Sequence, residues 1–497
     1  MSESSSSGKR PILVHLSIIL ATLIVVSGCV VGPHYKRPDA SVPQAYKEVP
    51  PGWKAAAPGD QIPRGKWWEI FHDPQLNTLE ERVNVSNQTL KAAYEQFLQA
   101  RALVRYYRAD YYPTVTAGAS GAYTRPSQNR PLSTAAVTKK NTTDILLPVT
   151  VSWEPDVFGR VRRTVEAARS NAQASAADLE SVSLSVHSEL ANDYFQMRAL
   201  DAEEQLLQST VAAYEKALQL TQNRHTGGVA SAVDVAQAQT QLETTRAQAV
   251  DIQVQRAQFE HAIAVLIGEP ASNFAFGQAP WTTPPPAIPT GLPSDLLERR
   301  PDIAAAERRM SATNAQIGVA RAAYFPALTL TGSGGFESSS ITTWLSGPSG
   351  FLSAGASAAV TAFDVGRRRA ASEQAQAAYE QSVANYRQAV LVSFQEVEDN
   401  LAALRILDQE AQRQQEAVAA AERSLNLSLN RYRGGVTTYL EVTTAQGIAL
   451  SNERTAVQIL ARRMNASVLL IQALGGGWDA TQLPSAKLTP PDVTKSQ

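Results

Sequence analysis

Cysteine is almost absent from this 497-residue sequence, which contains only Cys29. A lone thiol excludes any disulfide within the chain. Long hydrophobic runs are also scarce: the one clear example, Ile12 to Val26, is shorter than the roughly 20 apolar residues that a helix needs to cross a bilayer. If the rest of the chain enters a membrane, we expect β-strands to do so, because only helices and closed barrels satisfy the backbone in lipid.

An excess of charge and the common catalytic motifs are missing as well. The net charge of −1 provides no basic surface for nucleic acid, so no such partner is expected. The six histidines are scattered, without His-Glu-x-x-His or another metal-ligating spacing. Gly332-Ser333-Gly334-Gly335 lacks the Lys-Ser/Thr that completes a phosphate-binding loop. We therefore expect no enzyme, no metal site and no cofactor apart from a covalent lipid.

The N-terminal residues have the pattern of a bacterial export signal. Two basic residues precede the apolar run, and Val26-Ser27-Gly28-Cys29 resembles the lipoprotein box in which the thiol is acylated before cleavage. We predict a signal peptide over residues 1–28 and a lipid on Cys29. The alternative is an uncleaved membrane anchor with an incidental cysteine. Val30 is not the Asp that tends to retain such lipoproteins at the inner membrane, so the outer membrane is favoured.

Most of the remaining sequence is an internal duplication. Three glycines recur 207 residues later: Gly159 as Gly366, Gly228 as Gly435, and Gly268 as Gly475. The prolines of two aromatic-Pro motifs, Pro113 and Pro326, have a larger offset of 213. The first copy is therefore six residues longer than the second between Pro113 and Gly159, which predicts a variable loop there.

Each copy predicts a helix followed by two strands. The helices extend from Asn77 to Ala109 and from Leu296 to Ala323, and each is ended by aromatic-Pro. Apolar residues alternate with polar or small ones over Ile145 to Trp153 and over Leu352 to Thr361. This alternation is typical of transmembrane strands, but an ordinary half-buried sheet alternates in the same way.

A very long helical hairpin completes each copy. Arg160 to Thr226 and Arg367 to Arg433 are equally long and contain neither proline nor glycine. Both end at Gly-Gly, where a left-handed turn is readily formed. The return helices are predicted over Val233 to Leu266 and Leu440 to Leu474. These helices are poor in Leu and rich in Ala, Gln and Ser, so we expect them to pack against neighbouring chains.

Four strands per chain are too few to close a barrel, and an open sheet edge is not tolerated in lipid. We therefore predict a mainly α, internally duplicated fold with a membrane β-barrel portion. In a homotrimer, twelve strands would close the β-barrel, and the hairpins would continue it as a long periplasmic α-barrel.

Three further motifs extend the comparison to a known family. They are Cys29-Val30-Val31-Gly32-Pro33-His34-Tyr35-Lys36-Arg37-Pro38, Trp67-Trp68-Glu69-Ile70-Phe71-His72-Asp73-Pro74-Gln75-Leu76, and Gly291-Leu292-Pro293-Ser294-Asp295-Leu296-Leu297-Glu298-Arg299-Arg300-Pro301-Asp302-Ile303. With the aromatic-Pro and Gly-Arg motifs, the chain resembles the outer membrane factor family of TolC-like export channels, in its acylated NodT-type branch. The resemblance covers nearly the whole mature chain.

The resemblance implies an outer-membrane channel in a tripartite efflux system, with a periplasmic adaptor and an inner-membrane transporter as partners. It also implies an equatorial layer formed by both termini and the Pro-rich crossover. The expected divisions are a signal peptide (1–28), an acylated N-terminal segment (29–76), a first repeat (77–281), the crossover (282–295), a second repeat (296–477) and a C-terminal tail (478–497).

Two groups of residues at the hairpin turns are candidate sites. In the family the turns dock the adaptor, which implies that role for Gly227, Gly228 and Val229 and for Gly434, Gly435 and Val436; the glycines also serve as helix caps. The resemblance further implies that an acid at Glu441 forms a ring at the periplasmic aperture, and Asp234 is the equivalent residue of the first copy. Glu441 as an ordinary solvated acid is the alternative.

Basic residues near the turns are candidates for pairing with these acids, namely Arg224, Arg431 and Arg433. Some family members carry a second acid three residues further on, where this sequence has Thr444 and Gln237. The competing interpretation of the whole chain is a lipid-anchored helical scaffold or adhesin without pore activity. A passive porin would need many more strands and little helix.

Overall fold

A computed structural model describes residues 30–39, 42–49, 65–125, 141–279, 281, 285–288 and 295–483. The chain forms two compact units. The sheet unit comprises Met1–Pro38, Leu98–Gln173 and Glu307–Asn385, and the helical unit comprises Asp39–Phe97, Ala174–Ala306 and Tyr386–Gln497. Each unit takes residues from both sequence repeats, so the duplication does not mark a boundary between compact units.

Eight α-helices and five strands form the described part of the chain. The helices are α1 (Pro74–Ser86), α2 (Gln88–Ala109), α3 (Arg160–Thr226), α4 (Ala232–Leu266), α5 (Leu296–Arg299), α6 (Pro301–Ala322), α7 (Arg367–Arg433) and α8 (Tyr439–Ala473). The strands are β1 (Thr114–Ala117), β2 (Ser120–Thr124), β3 (Thr142–Trp153), β4 (Ala327–Ser338) and β5 (Gly350–Ala359). None of the described helices is long and apolar enough to cross a membrane.

The long hairpins agree closely with the prediction. Helices α3 and α7 have the predicted bounds, because no residue within them interrupts the helix and a Gly-Gly pair follows each. The return helices α4 and α8 each begin one residue earlier than predicted. In the helical unit, α3 and α4 pack against α8 through a cluster formed by Leu200, Leu207, Ile252 and Leu450.

The prediction of one continuous helix before the strands was wrong in both copies. The first helix is interrupted at Asn87 and the second at Arg300, which precedes a proline and is therefore disfavoured in helical geometry. Asn87 Nδ2 donates to the carbonyl of Leu266 at 2.7 Å, and Arg300 Nη1 donates to the carbonyl of Ala473 at 3.0 Å. Each interruption thus supplies a side chain that caps the C-terminus of the return helix.

The sheet has the order β1-β3-β4-β5, all antiparallel, and β2 also pairs with β3. Four strands were predicted, whereas the structure has five because the first is interrupted at residues 118–119. Gly118 lies opposite Pro148 and donates to its carbonyl at 3.0 Å. Pro148 has no N–H to return the bond, so the ladder is interrupted there without any change of register.

Arg163 makes several of the contacts that hold the segment after Cys29 within the sheet unit. Arg163 donates to the carbonyls of Val31, Gly32 and Pro33 at 3.0 to 3.3 Å, and its side chain is 3% exposed. Gly32 lies against Gly318, where an added Cβ would come within 2.5 Å of the Gly318 Cα. Both positions of this contact, residues 32 and 318, therefore require glycine.

A buried acid and histidine form a polar pair in the core of the helical unit. Glu80 Oε2 lies 2.6 Å from His187 Nδ1, and both residues are buried. His187 Nε2 is 3.1 Å from Asn84 Oδ1, an acceptor, which leaves Nδ1 to accept a hydrogen bond from protonated Glu80. Burial raises the pKa of Glu80 well above its usual value and lowers the pKa of His187 to about 4. The pair is therefore uncharged, with a protonated Glu80 and a neutral His187.

We expect the substitution Glu80→Gln to become more favourable as the pH rises. The unfolded chain loses the Glu80 proton above pH 4.5, whereas the folded chain keeps it until its raised pKa is passed. The stability of the variant relative to the original should therefore increase by about 1 kcal/mol per pH unit from pH 5 upward, until the raised pKa of Glu80 is passed. Unfolding midpoints measured across this range test the prediction, with the exposed Glu243→Gln as control. A constant difference would mean that Glu80 is ionised in the fold.

Candidate functional site: the paired helical turns

The two hairpin turns of the helical unit have the same backbone geometry. Gly228 N–H donates to the carbonyl of His225 at 2.9 Å and Val229 N–H to that of Arg224 at 2.9 Å. The equivalent bonds of Gly435 and Val436 are both 3.0 Å long. This is a Schellman motif, in which the residue after the helix is left-handed. Gly228 and Gly435 have φ of +76° and +73°, so the second glycine of each pair is the one that the turn requires.

The first glycine of each pair has a smaller role. Gly227 and Gly434 have ordinary backbone angles, and a Cβ added to them would make ordinary contacts of 3.4 to 3.8 Å. The valine that follows each turn is largely exposed, 69% for Val229 and 71% for Val436. Val233 and Leu440, just beyond the turns, are also exposed. Each turn thus presents apolar side chains on a rigid backbone.

Asp234 stabilises the start of α4 and joins the two turns. Its Oδ2 accepts from the Ser231 N–H at 3.0 Å while its own N–H donates to Ser231 Oγ at 3.1 Å, which is a capping box. Its Oδ1 accepts from the N–H of Tyr439, at the start of α8, at 3.4 Å. An acid at a helix N-terminus also stabilises the helix dipole.

Arg224 forms the second connection between the turns. Its Nη1 donates to the carbonyl of Arg433 at 2.9 Å, at the C-terminus of α7, where a cation is favoured. The guanidinium lies 4.8 Å from the ring centre of Tyr432, which is 3% exposed and packs edge-on against Tyr439. The first copy therefore supplies both side chains that hold the second turn in place.

The equivalent residues of the second copy pair with each other instead. Arg431 and Glu441, which occupy the repeat positions of Arg224 and Asp234, form an ion pair of 2.8 Å. Their side chains are 55% and 36% exposed. Thr437 Oγ1 also donates to Glu441, and Ser428 Oγ lies 3.4 Å away from it. An ion pair of this exposure contributes little to stability.

The structure thus brings most of the candidate residues together, in unequal roles. Asp234 is committed to a capping box, Glu441 to an exposed ion pair, and Arg224 to a carbonyl rather than to an acid. Within the described residues, Arg433 makes no ion pair with its side chain. Sequence reasoning did not single out Tyr432, the aromatic residue that supports the turns; its replacement of His225 at the equivalent repeat position was the available signal.

The lipidation candidate cannot be placed in the structure. Cys29 lies outside the described residues, as do the signal peptide and most of the Pro-rich crossover and C-terminal tail. Over the part of the chain that the structure describes, no group of three or more His, Cys, Asp or Glu side chains is arranged to hold a metal ion.

A protein-family model described as outer membrane efflux protein matches this chain in two segments, residues 79–269 and 292–476. The starts of these segments have the same offset as Pro113 and Pro326, and their ends have the same offset as the three recurring glycines. The family model therefore matches each repeat once.

Curated relatives and solved structures match nearly the whole chain. The solvent efflux pump outer membrane protein SrpC of Pseudomonas putida is 31% identical over 94% of this chain and 99% of its own length. The pyoverdine export outer membrane protein OpmQ of Pseudomonas aeruginosa is 31% identical over 87% and 92%. The structure of the outer-membrane channel OprN has a TM-score of 0.83 and 31% identity, covering 90% of this chain and all of that one.

Proposed function

The chain belongs to the outer membrane efflux protein family, and we propose that it is the outlet channel of a tripartite export pump. The match of the family model to both repeats carries this conclusion, and it confirms the resemblance inferred from the sequence motifs. The chain is an outer-membrane efflux component with the fold of its channel relatives. Its task is passage rather than catalysis, with an inner-membrane transporter and a periplasmic adaptor as partners.

The working assembly in this proposal is a homotrimer. Each chain contributes an antiparallel sheet in which β1 and β2 together occupy one edge position, so that the sheet is four strands wide. Among the described strands, two edges of this sheet are open. Such edges need partners in lipid, where unpaired backbone groups are costly. Three chains would close the β-barrel, and their hairpins would form the periplasmic tube.

The hairpin turns serve as the adaptor-docking surface. Val229 and Val436 project from rigid Schellman turns and are exposed to solvent. An apolar residue on a preorganised backbone loses little entropy on binding, which favours its use as a contact residue. The equivalence of the two turns gives a trimer six docking positions of two types.

Glu441, rather than Asp234, is the acid available to line the periplasmic aperture. Asp234 is occupied by the capping box and by the Tyr439 N–H, whereas Glu441 is held only by a half-exposed ion pair and two hydroxyl groups. Three Glu441 carboxylates around one axis would favour cations and repel one another unless Arg431 compensates their charge.

We expect Glu441→Gln to increase the single-channel conductance and to reduce its cation selectivity. The substitution removes the ring charge and the ion pair with Arg431 while retaining the side-chain length. Planar-bilayer recordings provide the measurement. The matched control is Glu416→Gln, which removes an acid from an exposed α7 ion pair. An unchanged conductance in Glu441→Gln would place this acid away from the aperture.

A lipid on Cys29 would anchor the channel beside the sheet unit. The box before Cys29 supports acylation, and Arg163 fixes the three residues Val31 to Pro33 that closely follow it. The residues that closely follow an acylated Cys29 are therefore held against the first turn of α3. Stable anchoring of this kind takes more than one acyl chain.

Conductance of the purified, acylated protein tests the proposed function. A trimer identified by chemical cross-linking, together with small cation-selective currents in a planar bilayer, is the expected result. A folded protein that neither inserts nor conducts would favour the lipid-anchored scaffold or adhesin.

A further inference from the structure

The sheet formed by the described residues has two edges that lack an outer partner. The order β1-β3-β4-β5 leaves one edge of β1 and β2 open and one edge of β5 open. Almost every residue in these three strands is exposed. A long exposed edge is a template for pairing with another chain.

The two hairpins of the sheet have identical registers once the repeat offsets are applied. Thr114 pairs with Ser152 in the first hairpin, and Ala327 pairs with Ala359 in the second. The offset from Thr114 to Ala327 is that of the two prolines, and the offset from Ser152 to Ala359 is that of the three glycines. Any neighbour of one hairpin therefore has a defined equivalent at the other.

The pairing of β3 with β4 joins the first hairpin to the second within one chain. In this pairing Trp153 lies opposite Leu330, Thr150 opposite Ser333, and Val149 opposite Gly334. In a ring of repeats, the same junction must recur between β5 of one protomer and the first strand of the next. Adding the glycine offset of 207 to the β3 residue and subtracting the proline offset of 213 from the β4 residue gives the equivalent pair.

We propose that β5 pairs with β1 and β2 of a second copy of this chain in this one register. Val360 then lies opposite Ala117 of the partner subunit, Ser357 opposite Ser120 of the partner subunit, and Ala356 opposite Gly121 of the partner subunit. The proposal rests on the trimeric channel described above and adds to it the residue pairs of the seam.

The side chains along this seam suit close approach. Within the chain, Gly335 lies opposite Pro148, and an added Cβ would come within 1.9 Å of the Leu147 carbonyl oxygen. The equivalent seam pair is Gly355 with Ala122 of the partner subunit, so a glycine is again present, now on the other strand. The seam pairs from Gly355 to Ala359 combine only Gly, Ala and Ser. At the next position Ala354 lies opposite Tyr123 of the partner subunit, so a small side chain faces the one bulky side chain of β2.

An aromatic contact beside the sheet also has an equivalent pair of residues at the seam. Phe158 stacks on Phe325 with ring centres 4.8 Å apart. The equivalent residues are Val365 and Tyr112 of the partner subunit. In the single chain Val365 is 85% exposed and Tyr112 70% exposed. Val365 also has φ of +53°, a strained value for a β-branched residue. The seam would cover both side chains.

Cysteine cross-linking in membranes tests the register, on a background in which Cys29 is the only native cysteine. Two double variants, Ser357→Cys with Ser120→Cys and Ala356→Cys with Gly121→Cys, cover adjacent positions. One of the two must be the closer, non-hydrogen-bonded type of pair. Two controls shift the register by two residues: Ser357→Cys with Ala122→Cys, and Ala356→Cys with Ala119→Cys.

After mild oxidation, at least one test variant should give dimer and trimer bands that disappear on reduction. The controls should give at least about tenfold less, because diagonal Cα atoms are about 7 to 8 Å apart, beyond the usual disulfide range. Equal cross-linking in a control, or none in either test variant of a conducting trimer, overturns the register. An amine cross-linker that finds no trimer, together with absent conductance, would instead contradict the proposed function.

A double-mutant cycle provides a readout that needs no disulfide. Val365→Ala and Tyr112→Ala should each lower the temperature at which the trimer dissociates, and the double variant should lower it no further than the larger single effect. Fully additive effects would show that the two side chains do not meet.

Discussion

Replacing Gly475 with alanine is expected to lower the stability of the folded chain by roughly 3 kcal/mol, the sum of strain and overpacking costs. Gly475 has φ of +90°, and an added Cβ would lie 2.1 Å from the carbonyl oxygen of Arg299. The carbonyl oxygen belongs to the backbone, and the backbone also fixes the position of the Cβ, so neither atom can move aside by a change of rotamer. Gly268→Ala should behave alike, since its Cβ would lie 2.3 Å from the Ser86 carbonyl oxygen.

Gly228→Ala is the matched control for this prediction. Gly228 has a similar φ of +76°, but no atom lies within 4 Å of its added Cβ. Gly228→Ala should lower the free energy of unfolding by only about 1 kcal/mol, the cost of placing alanine in the left-handed conformation. Unfolding midpoints of the three variants in denaturant provide the measurement. Equal losses in Gly475→Ala and Gly228→Ala would show that the backbone near Arg299 yields without cost.

The combined variant Val229→Asp with Val436→Asp is expected to abolish export while leaving the channel intact. Both valines are exposed, so the folded chain tolerates the charges, whereas an apolar contact with the adaptor does not. A loss of about 2 kcal/mol at such a contact weakens docking by ~30-fold. Accumulation of a fluorescent efflux dye in the native bacterium, carrying the variant in place of its own gene, measures the effect.

Val85→Asp makes the same change at another exposed valine and serves as control. Val85 is 88% exposed at the end of α1. The neighbouring Ser86 contacts Ile267, which follows the C-terminal end of α4. The hairpin turn precedes the other end of this 35-residue helix, so Val85 lies far from the turn. This variant should export normally. Retained export in the double valine variant, with wild-type conductance, would remove the turns from the docking surface.

Much of the architecture was predictable because it depends on local signals. The 67-residue helices were bounded correctly, since helix-compatible residues fill them and Gly-Gly follows. The helix interruptions at Asn87 and Arg300 were not predicted. The side chains of Asn87 and Arg300 cap helices that end at Leu266 and Ala473. These contacts join residues that are distant in sequence, so no local pattern predicts them. The interrupted first strand had a signal in Pro148, but its effect depends on the residue that lies opposite.

The candidate site divides in the same way. The repeat made Asp234 and Glu441 equivalent, and the sequence placed both beside the turns. Only the structure shows that Asp234 completes a capping box and holds Tyr439, while Glu441 pairs with Arg431. Ser231 is matched by Thr438, which makes no side-chain cap bond. A small difference in capping thus leaves the two acids with different partners.

The sequence by itself determined the duplication, the hairpin lengths, the position of the turns and the family, because each depends on residue type and spacing along the chain. The tertiary structure decided which copy supplies the side chains that hold the turns together, which acid stays available, and which strand edges remain open. These features depend on contacts between residues that are far apart in the sequence, such as Arg224 with Arg433. Equivalent residues in a repeat share a local conformation, but within one chain they do not share neighbours.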